Sequence, residues 1–294
     1  MTDIIRFAGA QIACTDDLET NISNIKKAID WAQVKEVDYL LTPEGSLSGY
    51  IPDWDTYKGR TLQDVINAEA SVVAYAKDAK VGLCLGTMWA EDDDRFPKGY
   101  RKENQIRFYS KTGNFLGSTN KHHTITSYDQ TVPSEVTLID MEDSRQNFWA
   151  AGLICNDFWG GPLRGQPSLP MFVTDNLNAQ VIFHATNGFR GELPNYDDIT
   201  DAWHEGNLRM LSYTCGIPII TVDNNCKMNG FPYEGRTSSA SGILLNGVWK
   251  VKVPRTGTQY FYYDFSHSDI INFATRKHPD QDILDQRPDI TGEM

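Results

Sequence analysis

The sequence predicts a single α/β domain, and three observations carry that reading. Short apolar stretches of strand length alternate with longer stretches of helical periodicity. The alternation runs through both halves of the chain. No Pro/Ser-rich linker, low-complexity tract or short-period repeat separates the halves. The 294 residues, 40% hydrophobic and 22% charged, are enough to bury a sizeable core. The domain is expected to span 1–275, with the polar, proline-punctuated 276–294 as a tail that is either disordered or an arm on a partner subunit.

The elements follow in order. "IRFAGAQIA" is a short apolar strand, and "TNISNIKKAIDWAQ" places Ile22, Ile25, Ile29 and Ala32 on one helical face. "VDYLLTPE" is a second strand ending at Pro43 and Glu44. Thr61 with Asp64 three residues on forms a capping arrangement for a helix through "LQDVINAEASVVAYAKDA". "VGLCLGTMWA" is a strand, and the acidic run 91–94 is read as a solvated loop. "NQIRFYSKTGNFLGSTNKHH" is a hairpin turning at Thr112, Gly113 and Asn114. In the second half, "FWAAGLIC" and "AQVIFHATN" are strands, and "ITDAWHEGNLRMLSYTCG" is a helix stopped by Gly216 with Pro218 beyond. "IPIITVDNN" is the next strand, and "ASGILLNGVWKVKV" is a hairpin turning at Asn246–Gly247.

Composition excludes several classes. A formal charge of −12 argues against a general nucleic-acid or anionic-membrane binder, since both need a basic footprint. The N-terminus has no secretory pattern, and no segment is apolar for the ~18–20 residues that span a bilayer. The five cysteines are scattered without CxxC or Cys/His metal spacing, so no metal or cofactor is expected and a reducing cytoplasm fits best.

Chemistry concentrates at strand ends. Cys155 closes an apolar strand in "GLICNDFWGG", Glu44 follows "VDYLLTP" and Lys121 follows "NFLGSTN". A nucleophilic thiol needs a proton acceptor and a group that holds developing oxyanion charge, and this trio supplies the residue types. A neighbouring cation is expected to lower the thiol's pKa. A G-x-S-x-G elbow and a papain-type cysteine signature are both absent, and no histidine motif places an imidazole beside Cys155. Singly, each residue reads as readily as a core thiol, a surface acid or a solvated lysine.

Together, "LLTPEGSLSGY", "NKHH" and "GLICNDFWG" resemble, in order and spacing, the Glu, Lys and Cys segments of the nitrilase, or carbon–nitrogen hydrolase, superfamily. Gly49-Tyr50 and Asp157 match neighbouring positions of that pattern. "WHEGNLRMLSYTCGIPIITVDNN", with Arg209, and "GRTSSASGILLNGVW" resemble its second half, and Asp264 and Arg276 fall where it ends. The resemblance implies a four-layer α-β-β-α sandwich and a homodimer or larger homo-oligomer. It implies Cys155 as nucleophile, Glu44 as general base and Lys121 with the backbone N–H of Asn156 as oxyanion stabilisers. The usual second Glu is missing; Asp129 is the stand-in, with Glu135 a later alternative. Tyr50, Phe158, Trp159 and Asn187 are candidate substrate contacts, and His122, His123 and Arg190 are possible pocket residues. Phe158 and Trp159 serve equally well as core packing. "ICND" is closer to the amidase-like Cys-x-Asp than to the Cys-Trp-Glu of nitrilases, so the expected reaction is hydrolysis of a small amide through a Cys thioester. Nitrile hydrolysis, acyl transfer to an amine and a non-catalytic binding role remain the alternatives.

Overall fold

The computed structural model describes residues 4–50, 61–92, 94–95, 99–123, 136–144, 146–159, 168–188, 196–225 and 237–272, with backbone alone at 91–92, 196–201 and 272. The elements are β1 (Ile4–Gln11), α1 (Leu18–Val34), β2 (Tyr39–Leu41), α2 (Leu62–Ala79), β3 (Gly82–Asp92), β4 (Tyr100–Tyr109), β5 (Phe115–Asn120) and β6 (Ile139–Met141). They continue with β7 (Phe148–Ile154), α3 (Leu169–Asp175), β8 (Val181–Thr186), α4 (Tyr196–Cys215), β9 (Ile219–Asp223), β10 (Gly242–Leu245), β11 (Val248–Lys252), β12 (Gln259–Ser266) and α5 (His267–Asn272).

Two six-stranded sheets result, ordered β12-β1-β2-β3-β4-β5 and β11-β10-β9-β8-β7-β6. In the first, β1, β2 and β3 run parallel. In the second, β7, β8 and β9 do. The flanking strands are antiparallel. Each sheet therefore has a parallel centre whose C-terminal ends open on one rim.

Strand alternation sorts side chains into layers. Phe7 meets Phe148 and Phe183 edge-on, and Phe108 and Tyr39 make similar contacts with Phe183 and Phe148, so aromatic rings fill the space between the sheets. The opposite face of the first sheet, with Ala8, Leu40, Leu83 and Leu85, packs on Ile25 and Ile29 of α1 and Val65 and Val72 of α2. Val173 of α3 and Leu208 and Leu211 of α4 cover the second sheet. The arrangement is the expected α-β-β-α sandwich. Full burial of each such side chain contributes about 1.5–3 kcal/mol.

Local signals hold where the chemistry is local. Thr61 and Asp64 form a reciprocal capping box at the start of α2. Gly216, at φ +67, follows the last residue of α4. Asn246 and Gly247, at φ +53 and +72, form the two-residue turn between β10 and β11. Two expectations change. The buried face of α1 holds Asn21, while Ile22 is only partly covered. Asn21 is drawn inward because its amide bonds Thr15 and the Leu47 carbonyl. The acidic run is not wholly loop: Glu91 and Asp92 pair with Arg101 and Tyr100 as the last rungs of β3. Asp94 is exposed and Asp93 lies outside the described residues, as does the tail at 276–294.

Candidate active site

The three strand-end residues converge on one seam. Glu44 follows β2 and Lys121 follows β5, both in the first sheet; Cys155 follows β7 in the second. Pro43 ends the β2 pairing, and the chain turns with Ser46 N–H bonded to the Pro43 carbonyl at 3.0 Å. The turn passes so close to β3 that a Cβ on Gly86 would sit 2.0 Å from the Pro43 oxygen. That glycine lets the Glu44 backbone nest against the sheet.

Glu44 and Lys121 are each 1% exposed. Lys121 Nζ donates to Glu44 Oε1 at 2.8 Å, and the Asn104 side-chain amide on β4 donates to the same oxygen at 2.7 Å. A buried ion pair gains little net stability after desolvation, but removing one partner strands the other and costs about 3–5 kcal/mol. Asn104 was not singled out from the sequence. It stands 60 residues from Glu44, and only the β3–β4 register brings the two together.

Cys155 opens a short 3₁₀ turn, Cys155–Asp157, and adopts φ +48. A non-glycine residue in that region costs about 1–3 kcal/mol and persists only when its surroundings hold it. Two bonds converge on its carbonyl, from Phe158 N–H at 3.1 Å and from His184 Nε2 at 3.1 Å. Since a carbonyl only accepts, Nε2 carries the proton and Nδ1 accepts from the Thr221 hydroxyl at 2.9 Å. Burial pushes His184 down to about 3, so it is neutral at ordinary pH. The sequence offered no motif placing a histidine at Cys155, yet one lies beneath it and holds its backbone rather than its sulfur.

Burial also pushes the Cys155 thiol well above its ordinary value; Glu44 adds to the rise and Lys121 opposes it. This corrects the expectation of a thiol lowered by its cation: desolvation outweighs the lysine. The resting group is a thiol, and it needs a base.

Polar ties cross the seam in both directions. Asp157 Oδ1 accepts from the backbone N–H groups of His122 and His123 at 2.8 and 2.6 Å, and Oδ2 from Ile154 N–H at 3.0 Å. One carboxylate thus joins the segment after Lys121 to the residue before Cys155. Burial raises the Asp157 pKa, against the pull of these N–H donors and Lys121. From the other side, Asn187, just after β8, donates to the Glu44 carbonyl at 3.3 Å and accepts from Asn224 at 2.9 Å.

The remaining candidates have definite places. The Asn156 N–H has no acceptor among the described residues. Phe158 and Trp159 are buried beneath the elbow that the Cys155–Asp157 turn makes, against His184, with Trp159 also against His204. Tyr50 is partly buried beside the core under α1 and α2. His122 is partly buried and its pKa lowered by desolvation; His123 is buried. Asp129, Glu135 and Arg190 lie outside the described residues, as do Cys226 and Arg276. Among the described residues, no cluster of three or more His, Cys, Asp or Glu forms a metal-binding group, and no helix is long and apolar enough to cross a membrane. Cys14, Cys84, Cys155 and Cys215 are buried, and none forms a disulfide among the described residues.

Comparison with known proteins agrees with this fold. The carbon-nitrogen hydrolase family model matches residues 6–266, and the chain belongs to that family. It is therefore placed among hydrolases of carbon–nitrogen bonds. Its fold is similar to that of an amidase from Nesterenkonia sp. AN1, in a mutant showing covalent addition of the acetamide moiety of fluoroacetamide at the active-site cysteine. That likeness has TM-score 0.68 and 16% identity over 95% of this chain and 96% of the other. A double mutant of that amidase in complex with acrylamide matches with TM-score 0.68 and 17% identity, over 96% and 97%. Saccharomyces cerevisiae Nit3, a member of branch 10 of the nitrilase superfamily, matches with TM-score 0.69 and 16% identity, over 92% and 93%. No curated protein sequence matches the chain.

Proposed function

We propose that this protein is a thiol amidohydrolase that cleaves a small non-peptide amide to an acid and ammonia or an amine. The observation that carries the reading is the buried Glu44–Lys121 pair, tied through Asp157 to the turn of a cysteine held at positive φ in the other sheet. Glu44 takes the Cys155 proton, and sulfur attacks the amide carbonyl carbon. Lys121 and the Asn156 N–H hold the oxyanion. As the C–N bond breaks, Glu44 returns the proton to the leaving nitrogen, which leaves a Cys155 thioester. Water then gives a proton to Glu44 and attacks the thioester; the acid departs and the proton returns to sulfur.

A second carboxylate, Asp129, orients the substrate or Lys121 in this reading. The protein works in the cytoplasm as a homodimer or larger homo-oligomer. Trp203, Met210 and Tyr213 on one face of α4 and Val248 beside them are exposed in the single chain, which fits self-association through the outer helix layer.

The test is ammonia release from a panel of short aliphatic and aromatic amides and the matching nitriles. The wild type hydrolyses at least one amide, and Cys155→Ala loses turnover by a factor of about 10³ or more. Undiminished turnover in Cys155→Ala overturns the mechanism.

A further inference from the structure

Asn104 is bonded to both members of the buried ion pair. Its side-chain amide donates to Glu44 Oε1 at 2.7 Å, and its backbone carbonyl accepts from Lys121 N–H at 2.9 Å. The residue is fully buried. A carboxylate oxygen only accepts from an amide, so Asn104 must turn its NH₂ toward Glu44. Its Oδ1 is then left buried without a hydrogen-bond partner among the described residues. Burying an acceptor that way destabilises a fold, and an apolar side chain of similar size would avoid the cost. Packing therefore does not account for an amide here; the contact to Glu44 does.

We propose that Asn104 is a positioning residue that keeps Glu44 ionised and aimed for its proton exchange with Cys155. This rests on the reading of Glu44 as the base. A donor to a carboxylate favours the charged form, which keeps the acceptor ready at mildly acidic pH. The same donor makes protonated Glu44 a stronger acid, which helps it release the proton to the leaving nitrogen. Lys121 pairs directly with Glu44, Asp157 and His184 lie within electrostatic reach of Lys121, and the Cys155 thiol lies within reach of Glu44, Lys121, Asp157 and Asp223. His122 and His123 direct their backbone N–H groups to Asp157, and the Cys14 thiol bonds the Gly45 carbonyl.

The experiment is the pH dependence of Cys155 alkylation by iodoacetamide, followed by peptide mass spectrometry in wild type, Glu44→Gln, Asn104→Leu and Asn104→Asp. The wild type shows an acid limb that Glu44→Gln abolishes. In Asn104→Leu the limb moves to higher pH, so that labelling on the limb is about tenfold slower than in wild type while the plateau changes less. Asn104→Asp keeps the shape and places a second carboxylate against Glu44, which moves the limb further the same way. Limbs at the wild-type pH in both variants overturn the proposal, as does loss of folded protein in both, which would make Asn104 a structural residue. A wild-type limb that survives Glu44→Gln instead overturns the choice of base.

Discussion

The two sheets share a plan, three parallel strands flanked by antiparallel ones, yet they hold Glu44 and Cys155 at their strand ends by different means. At the end of β2, Glu44 is held by its side chain: two donors meet one carboxylate oxygen, and the backbone turns through ordinary bonds. At the end of β7, Cys155 is held by its backbone: φ is +48, and His184 and Phe158 fix the carbonyl. The difference follows from chemistry. A carboxylate accepts strong hydrogen bonds and is aimed by them, whereas a thiol is a weak partner and must be aimed through the main chain. The site is assembled only when the sheets meet, and Asp157 and Asn187 span that seam.

The largest effect is expected where side-chain charge does the holding. Lys121→Met leaves Glu44 buried beside a methyl group, and urea unfolding should show a loss of about 3–5 kcal/mol together with loss of turnover. A variant as stable as wild type would mean that Glu44 is not held by its ion pair. Next is the seam. Asp157→Asn sets an NH₂ group against backbone N–H donors, and a loss of about 1–3 kcal/mol is expected from the same measurement. Cys155 should also become easier to label at its pH plateau if the elbow loosens.

The effect smallest near neutral pH is a slope that grows as the solution is acidified. His184 binds its proton near pH 3 in the fold and near 6.5 when unfolded, so the unfolded chain binds more protons between those values. Stability therefore falls as pH drops from about 6.5 toward 3. His184→Gln should flatten part of that slope in urea titrations at successive pH values. His122 and His204, also lowered by burial, keep the rest. An unchanged slope would place His184 in a more solvated setting.

The strand ends carrying Glu44, Lys121 and Cys155 were legible because each closes a local apolar stretch, while the roles proposed for them came with the family resemblance; the capping box and the Asn246–Gly247 turn were legible for the same local reason. The four-layer plan came only with the family resemblance. α3 escaped because seven residues are too short to display a helical period, and β6 because Asp140 breaks the apolar run that marked the equally short β2. β12 escaped because its aromatic run lacks clean alternation of apolar and polar residues. The supports of the site escaped more completely. Asn104 and His184 meet Glu44 and Cys155 across strand registers that no single segment encodes. Asp157 was visible as an acid two residues past the cysteine, but its place across the seam was not.

The central claim is that Cys155 is the nucleophile of a thioester-forming hydrolase. Its most direct test is the intact mass of the protein quenched in acid during turnover of an amide, followed by peptide mapping. The account predicts an added acyl mass on the peptide bearing Cys155, absent in Cys155→Ala. Turnover with no adduct trapped by rapid quench, or an adduct confined to Cys14, Cys84 or Cys215, would contradict it.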